Sequence, residues 1–232
     1  MLRFEDVAIA LGDFRLAADL AVPPATITAV LGPSGAGKST LLSAVGGFIP
    51  LHEGRILWND TDLGPVPPGQ RPVSMIFQDQ NLFPHLTAAE NVALGLKPSL
   101  RLTPEERERV DHALARTGLA GLGQRRPAEL SGGQQSRVAL ARMVLRHKPI
   151  ALLDEPFSAL GPALRTEMLD LVAEIAAEEG TTLLMVTHDP DDARRVARHA
   201  ILVADGVASP PQATEELFAN PPEALRRYLG VV

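Results

Sequence analysis

Residues 32–40 read Gly32-Pro33-Ser34-Gly35-Ala36-Gly37-Lys38-Ser39-Thr40 and fit the phosphate-binding pattern G-x-x-x-x-G-K-[ST] at every fixed position. The glycines at positions 32, 35 and 37 allow backbone torsions that other residues avoid, so successive N–H groups can turn toward a polyphosphate. Lys38 adds a positive charge, and the hydroxyl of Ser39 can bind Mg²⁺. A helix that begins here points the positive end of its dipole at the phosphates. The stretch therefore predicts a nucleotide-binding site.

The flanking residues supply the strand, loop and helix order that this motif requires. Residues 26–31 are an apolar run with β-branched side chains and predict a strand, and residues 39–45 predict a helix. Three later apolar runs, at 150–153, 182–186 and 200–204, are separated by helical segments, which is the pattern of a parallel α/β sheet. An ordinary glycine-rich turn is the alternative interpretation of residues 32–40, and this context argues against it.

The rest of the chain indicates how the nucleotide core is completed. Residues 2–9, 14–22 and 55–59 predict a small antiparallel β layer, and the proline-rich residues 60–72 predict an exposed irregular loop. Residues 73–77 predict a buried strand that ends at Gln78. The expected division is a core at about 1–85 and 149–208, an inserted helical subdomain at about 86–148, and a weakly helical tail at 209–232. The clearest helix of the whole chain is predicted at residues 162–178 of the core, with Pro162 in its first turn and Gly180 just past its end.

Composition excludes several classes of function. The 232-residue chain carries a net charge of −6, which argues against a mainly electrostatic nucleic-acid binder, so no nucleic-acid partner is expected. It has no cysteine, which excludes thiolate metal sites and cysteine nucleophiles and fits a reducing compartment. Residues 1–6 do not show the charged and apolar regions of a signal peptide, and no uncharged apolar run approaches the ~18 residues of a membrane span, so neither is expected. We therefore expect a cytosolic chain whose membrane contact comes through a partner.

Two adjacent carboxylates follow the apolar run at 150–153. At the carboxyl end of a parallel strand beside the phosphate loop, Asp154 can hold Mg²⁺ through water while Glu155 polarises the attacking water. An acidic turn at a strand end is also common as plain structure, and alone it would be an equally good interpretation. Together with residues 32–40, the pair predicts the magnesium-binding and catalytic half of a P-loop ATPase.

A second potential anion site lies at Leu130-Ser131-Gly132-Gly133-Gln134, just before a helical stretch. Ser131 can cap that helix, and the two glycines leave free backbone N–H groups at its positive end. One phosphate loop is sufficient for one nucleotide. The second anion site therefore indicates either another ligand or a second copy of the chain.

Five motifs in this order resemble those of the nucleotide-binding subunits of ABC transporters. They are residues 32–40, Gln78, residues 130–134, the Asp154-Glu155 pair and Thr187-His188-Asp189. The resemblance covers about residues 2–207 and implies an ABC ATPase fold. In this family the signature sequence closes over the γ-phosphate of the ATP that the other subunit holds, so a head-to-tail homodimer is implied, with ATP and Mg²⁺ as cofactors.

The resemblance also implies a role for each matching residue. Residues 32–40 cradle the phosphates, and Gln78 senses Mg²⁺ and water. Glu155 is the catalytic base, and His188 contacts the γ-phosphate and positions water. The residues that reach across the dimer are Ser131, Gly132, Gly133 and Gln134. The residues that hold Mg²⁺ are Ser39, Gln78 and, through water, Asp154.

Within the family, the whole chain is most similar to the ATP-binding subunits of bacterial thiamine importers. The similarity rests on residues 71–78, 81–83, 85–87, 94–98 and 183–186. It implies a permease in the inner membrane, a periplasmic substrate-binding protein, and a place on the cytoplasmic face of that membrane. Leu82 and Phe83 are expected to form an exposed apolar pair after Gln78. The resemblance implies that this pair receives a short helix of the permease; local packing is the alternative.

Two other functions remain open from the sequence alone. The same ATPase could serve another importer, such as one for iron or phosphonate, because substrate choice lies with the permease and the binding protein. A soluble ABC ATPase that acts on DNA or ribosomes is a more remote alternative. It is disfavoured by the acidic charge and by the lack of coiled coils, zinc motifs or tandem ATPase halves.

Three positions depart from the family pattern. Gly161 stands where an aspartate is usual, at an expected helix N-cap, and we expect hydrolysis to persist. The aromatic that stacks on adenine in relatives falls near Leu11, so Phe14 is the candidate, with core packing as its alternative. Ser136 replaces a usual glutamine and is expected on a solvated helix face.

Overall fold

The computed structural model describes residues 1–230. Its strands are β1 (Leu2–Leu11), β2 (Phe14–Val22), β3 (Ile27–Leu31), β4 (Glu53–Trp58), β5 (Thr61–Asp62), β6 (Val73–Ile76), β7 (Ile150–Asp154), β8 (Thr182–Val186), β9 (His199–Ala204), β10 (Val207–Ala208) and β11 (Gln212–Ala213). Its α-helices are α1 (Lys38–Gly46), α2 (Ala88–Ala93), α3 (Pro104–Arg116), α4 (Gly132–Arg146), α5 (Pro162–Glu179), α6 (Pro190–Val196), α7 (Thr214–Ala219) and α8 (Glu223–Leu229).

The central part of the sheet is parallel and has the strand order β9-β3-β8-β7-β6. Every residue of β3 and of β8 is buried, as expected for strands covered on both faces. This confirms the parallel sheet that the apolar runs predict. Because these strands run in the same direction, their carboxyl ends lie along one edge, and that edge carries the loops that hold the candidate site.

The antiparallel layer has the order β5-β4-β1-β2. The short strand β10 joins it to the central strands, because β10 pairs parallel with β2 and antiparallel with β9. Burial alternates along β2, so one face of the layer packs on the core and the other faces solvent. The mixed sheet with its antiparallel part confirms the fold class that the sequence predicts.

The central strands separate two apolar clusters. On one face Leu152 of β7 packs with Leu41 and Leu42 of α1, and on the other face Leu153 packs with Met168 and Val172 of α5. A third cluster joins α2, α3 and α4 through residues that include Val92, Val110, Leu114, Val138 and Leu145. The predicted helical subdomain includes these three helices, and we retain the division into core and helical subdomain as a proposal.

Helix α5 has the boundaries that its sequence indicates. Gly161 is the N-cap residue, Pro162 begins the first turn, and Gly180 ends the helix with a left-handed φ of 62°. The two carbonyls that Gly180 N–H caps belong to Ala176 and Ala177. The proline at the start and the glycine at the end are therefore sufficient to predict the boundaries of this helix, because both act through local backbone geometry.

The segment at 60–72 is more ordered than the sequence predicts. The supposed irregular loop at 60–72 contains β5 and a 3₁₀ turn at Pro68–Gln70, and it buries Leu63 and Arg71. The prolines do not prevent this burial, because the Arg71 guanidinium donates to the carbonyls of Ala44 and Val45 at 2.8 Å and of Val66 at 2.9 Å. The tail agrees with its prediction, since it forms α7 and α8, which bury Leu217 and Leu225. Its last two positions, 231–232, lie outside the described residues.

We expect Arg71→Met to lower the free energy of unfolding by roughly 2–4 kcal/mol, because it removes the donor for three backbone carbonyls, two of them at the end of α1. Urea denaturation monitored by circular dichroism would measure the loss. Arg55→Gln is the matched control, since Arg55 lies on the surface and bonds to Glu5 there. Its effect should be clearly smaller than that of Arg71→Met, because water competes with an exposed ion pair. Equal stability of the two variants would contradict the capping role of Arg71.

Candidate active site

The phosphate loop follows β3 and depends on the absence of a Cβ atom at two glycines. Gly32 has φ of 145°, and a Cβ there would lie 2.0 Å from the carbonyl oxygen of Val203 in β9. Gly37 has φ of 104°, and a Cβ there would lie 2.6 Å from the ring of Phe14. A side chain at either position would strain the backbone and collide with its neighbour. The structure therefore confirms the unusual torsions that the glycine pattern predicts.

Lys38 begins α1, and its amino group lies inside the loop. Its Nζ donates to the carbonyl of Gly32 at 2.8 Å and to that of Pro33 at 2.9 Å. Burial lowers the pKa of Lys38, and the negative charges of Glu155 and Asp154 oppose that change. The loop therefore places a partly desolvated cation where an anionic group can approach it.

Ser39 and Asp154 bring the phosphate loop and β7 together. The Ser39 hydroxyl donates to Oδ1 of Asp154 at 2.9 Å. Burial raises the pKa of Asp154, while the hydrogen bond from Ser39 and the charge of Lys38 act in the opposite direction. A hydroxyl and a carboxylate at this spacing are oxygen ligands of the kind that Mg²⁺ prefers, so the pair fits that ion.

Within residues 1–230, no group of three or more His, Cys, Asp or Glu side chains is placed to hold a metal ion. The protein ligands at Ser39 and Asp154 would therefore be too few to bind Mg²⁺ on their own. This agrees with the general behaviour of the ion, which keeps several waters and is usually shared between one or two carboxylates and the phosphates of a substrate.

Glu155 and His188 lie side by side at the ends of β7 and β8. His188 Nδ1 lies 3.3 Å from Oε2 of Glu155. Glu155 adopts a left-handed φ of 46°, and its N–H donates to the carbonyl of Val186 at 3.1 Å, while its own carbonyl accepts from Ser158 Oγ at 3.1 Å. A left-handed backbone at a residue other than glycine is uncommon and often marks a functional position. The sequence carried no signal for it.

Gln78 lies two residues beyond the end of β6, which pairs with β7 through Ile76 and Leu153. Parallel pairing therefore places Gln78 at the same sheet edge as Asp154 and Glu155. Its side chain is exposed, and among the described residues no hydrogen bond links it to either carboxylate. The structure thus brings Gln78 to the site without a direct contact.

The second anion motif lies at the start of α4. The Ser131 hydroxyl accepts from the backbone N–H of Gln134, and the Gln134 side chain accepts from the N–H of Ser131, which completes a capping box. Gly133 packs so closely on α5 that a Cβ would lie 2.3 Å from Leu164. Within the described part of the chain, no hydrogen bond joins residues 131–134 to residues 32–40.

Comparisons with known proteins agree with this arrangement. The profile of the ABC transporter family matches residues 17–158. The thiamine import ATP-binding protein ThiQ of Cereibacter sphaeroides is 62% identical over 99% of this chain and 100% of its own length, and that of a Ruegeria species is 60% identical over the same shares. The chain belongs to the ABC transporter family.

Two solved structures of this family have the same fold. One is a dimeric ATP-binding cassette in a post-hydrolysis state with ADP and Pi, which is 30% identical and has a TM-score of 0.80. The other is a dimeric bacterial ABC transporter cassette with the same identity and a TM-score of 0.79. Each alignment covers 92% of this chain and 99% of the relative.

Against this family background, one of the three departures was misplaced from the sequence. Ser136 is only 2% exposed and does not lie on a solvated face. Its hydroxyl accepts from the side chain of Gln80 at 2.6 Å and donates to the carbonyl of Gly132 at 3.1 Å. The small side chain is therefore a buried link between α4 and the loop that follows Gln78. Helix periodicity alone could not predict the partner.

The two residues of the proposed permease-binding pair, Leu82 and Phe83, differ in their exposure. Leu82 is partly buried and packs against the core, so the expectation that it is exposed is wrong. Phe83 is 46% exposed and stacks edge-on with His85. The buried Asn91 of α2 holds the Phe83 backbone, since its Oδ1 accepts from the Phe83 N–H at 2.8 Å and its Nδ2 donates to the Phe83 carbonyl at 3.1 Å.

Phe14 packs beside the phosphate loop. Its ring is partly buried, packs against the apolar cluster that contains Leu41, Leu42 and Leu152, and lies against Gly37 of the phosphate loop. Leu11, where relatives have the adenine-stacking aromatic, is 42% exposed in the same hairpin. Contact with adenine through Phe14 therefore stays a prediction, and its packing on the loop is an observed contact.

Sequence reasoning missed two residues next to the site. Arg165 of α5 donates to the buried carboxylate of Asp192 at 2.5 Å and lies 3.2 Å from the carboxylate of Asp189. Tyr228 of α8 donates to the carbonyl of His188 at 2.5 Å. Tyr228 lies 40 positions from His188 along the chain, and no spacing or periodicity indicates either residue.

We expect Asp154→Asn to stabilise the nucleotide-free chain at pH 7. The pKa of Asp154 is raised in the fold, so its ionised form lowers stability at pH values above that folded-state pKa. The gain of the variant should shrink as the pH falls through the folded-state pKa toward the unfolded value of 3.8. Urea titrations at several pH values would measure this.

The matched control for this experiment is Asp170→Asn. The hydrogen bond from Arg195 lowers the pKa of Asp170, so its loss should reduce stability slightly at pH 7, with the opposite sign. An Asp154→Asn variant that is no more stable than the wild type at pH 7 would contradict the desolvation argument.

Proposed function

We propose that this chain is the ATP-hydrolysing subunit of an ABC importer that takes up thiamine and its phosphates. The observation that carries the proposal is the whole-length identity of 60–62% to two ATP-binding proteins named for thiamine import. The fold and the arrangement of residues 32–40, 154–155 and 188 at one sheet edge support ATP hydrolysis as the reaction.

The phosphate loop and Lys38 bind the β- and γ-phosphates. Backbone N–H groups within residues 34–39 surround the anion, and the Lys38 amino group, now shared between two carbonyls, turns to the phosphate oxygens. Ser39, Asp154 and Gln78 would hold Mg²⁺, with Asp154 acting through water. When bound, Mg²⁺ neutralises charge on the transferring phosphoryl group.

Glu155 is the base that accepts a proton from the attacking water, and His188 orients that water and the γ-phosphate. The 3.3 Å contact between His188 Nδ1 and Glu155 Oε2 supports a shared task, because both groups can hydrogen-bond to one small molecule from this spacing. Positioning and electrostatic stabilisation provide most of the rate acceleration in phosphoryl transfer.

A second copy of the chain completes each site. Residues 131–134 make no hydrogen bond to the phosphate loop of their own chain, within the residues described, yet they present a capped helix start with two glycines. The two solved relatives are dimeric. We infer a head-to-tail homodimer in which Ser131 and the glycines of one copy contact the γ-phosphate on the other.

The importer also needs a membrane component. No helix within residues 1–230 is long and apolar enough to cross a bilayer. We infer that the chain binds an integral-membrane permease from the cytoplasmic side, that a periplasmic protein delivers the substrate, and that Phe83 is the exposed part of the permease contact. The hydrogen bonds from Asn91 fix the loop that presents Phe83.

We expect Glu155→Gln to bind ATP, to form a stable dimer and to lose hydrolysis by at least about 100-fold, because the variant lacks the general base but keeps the side-chain shape. Phosphate release and size-exclusion chromatography with ATP and Mg²⁺ would measure these properties. Turnover that persists in this variant would remove Glu155 from the catalytic role.

The transported substrate is tested in proteoliposomes that contain the chain, its permease and the binding protein. ATP-dependent uptake of labelled thiamine should occur with the wild type and should be lost with Glu155→Gln. Hydrolysis without thiamine uptake would keep the ATPase mechanism and reject thiamine as the substrate. Parallel assays with iron and phosphonate would then identify the alternative importer.

For the permease contact, we expect Phe83→Asp to weaken assembly with the permease and therefore to reduce transport, while ATP affinity of the isolated chain stays unchanged. A buried charge in an apolar contact is strongly unfavourable, so assembly should weaken by at least tenfold. Val207→Asp is the control, since Val207 is 53% exposed on β10 and lies outside the proposed contact. Co-purification that Phe83→Asp leaves intact would rule out docking at Phe83.

A further inference from the structure

The contact between His188 and Glu155 does not by itself fix the position of the histidine. The two side chains are separated by 3.3 Å, and 51% of the His188 side chain is exposed. Ion pairs and hydrogen bonds at exposed positions are weak, because water competes for the same groups and the side chains keep their rotational freedom. The orientation of His188 must therefore come largely from its backbone.

The peptide unit between His188 and Asp189 is held at both of its polar groups. Its N–H, from Asp189, donates to the Thr187 hydroxyl at 3.1 Å. Its C=O, from His188, accepts from the hydroxyl of Tyr228 at 2.5 Å. Because a peptide unit is planar, two hydrogen bonds on opposite sides fix the orientation of the plane and with it the ψ angle of His188.

The N–H side of this peptide is part of a larger network. The Thr187 hydroxyl donates to the Asp192 carboxylate at 2.8 Å, and Arg165 binds the same carboxylate. These groups come from α5, α6 and the loop between β8 and α6 itself. The C=O side has a single side-chain donor among the described residues, and it comes from the C-terminal helix α8.

The Tyr228 ring is positioned by the packing of α8. Leu225, one turn earlier in that helix, is fully buried, and Ala224, Tyr228 and Leu229 pack against the same apolar cluster. Burial, with the negative charges of Glu155 and Asp189, raises the pKa of Tyr228. The hydroxyl therefore keeps its proton at neutral pH and remains a donor to the His188 carbonyl.

We propose that Tyr228 is a positioning residue of the hydrolytic site, whose hydroxyl holds the peptide after His188 and so keeps the imidazole beside Glu155. The C-terminal helix α8 is then a functional part of the ATPase and not only a terminal segment that covers apolar surface. This inference rests on the proposed ATP hydrolysis, because His188 acts on the γ-phosphate and water only in that reaction.

The test compares Tyr228→Phe with the wild type in steady-state ATP hydrolysis with Mg²⁺, by the purified chain and by the reconstituted importer. Phenylalanine keeps the packing of the ring and removes only the hydroxyl. We expect kcat to fall by roughly threefold to tenfold, the effect of one lost hydrogen bond, while KM for ATP stays within about twofold. The midpoint of thermal unfolding should stay within about 2 °C.

Arg227→Gln is the matched control. Arg227 is the preceding residue of α8 and is well exposed, and within residues 1–230 its side chain makes only long ionic contacts, with Asp205 at 3.5 Å and Glu223 at 3.9 Å. Its replacement should leave kcat, KM and the unfolding midpoint unchanged. A change in kcat in both variants would point to a general disturbance of α8 and would overturn the specific role of the Tyr228 hydroxyl.

The remaining outcomes also decide the inference. An unchanged kcat in Tyr228→Phe overturns it, and so does a loss of activity that comes with an increased KM or a lower unfolding midpoint, since a merely structural contact would act in that way. A wild-type chain without ATP hydrolysis, alone or in the importer, would instead overturn the proposed function. The two failures are therefore distinguishable.

Discussion

Parallel pairing of β3, β7 and β8 is the constraint on which the site depends. Val30 and Asp154 both lie opposite Val186 of β8, so the three strands end at nearly the same level. The phosphate loop, the two carboxylates and the histidine follow those three ends in turn. Because parallel strands bring their carboxyl ends to one edge, strand pairing alone places residues that are more than 150 positions apart in the sequence at the same edge.

The site also contains arrangements that lower stability. Lys38 and Asp154 are partly buried charges whose pKa values are shifted toward the neutral forms, and Glu155 has a left-handed backbone. Neighbouring groups hold these residues in place through short hydrogen bonds, as Ser39 does for Asp154. Such local costs are common where a site is organised for a bound ligand, and the two apolar clusters beside the central strands compensate for them.

Much of the architecture was predictable because the signals are local. The boundaries of β2 and β8 agree with the predicted ranges, and α5 begins and ends at its proline and glycine signals. The wrong predictions share one cause. Ser136, Arg71 and Leu82 were judged from their neighbours in sequence, but their burial is set by partners from other elements, such as Gln80 at 56 positions from Ser136.

The sequence by itself determined the ABC transporter family, the phosphate loop with its glycine torsions, and the strand ends that carry Asp154, Glu155 and His188. These features follow from short patterns that act through local backbone geometry and strand period. Only the tertiary structure decided which groups hold the loop after β8, such as Tyr228 on the carbonyl of His188, 40 positions away. A hydrogen bond between one side chain and a distant backbone carbonyl depends on how two elements pack, and it leaves no periodic trace in the chain.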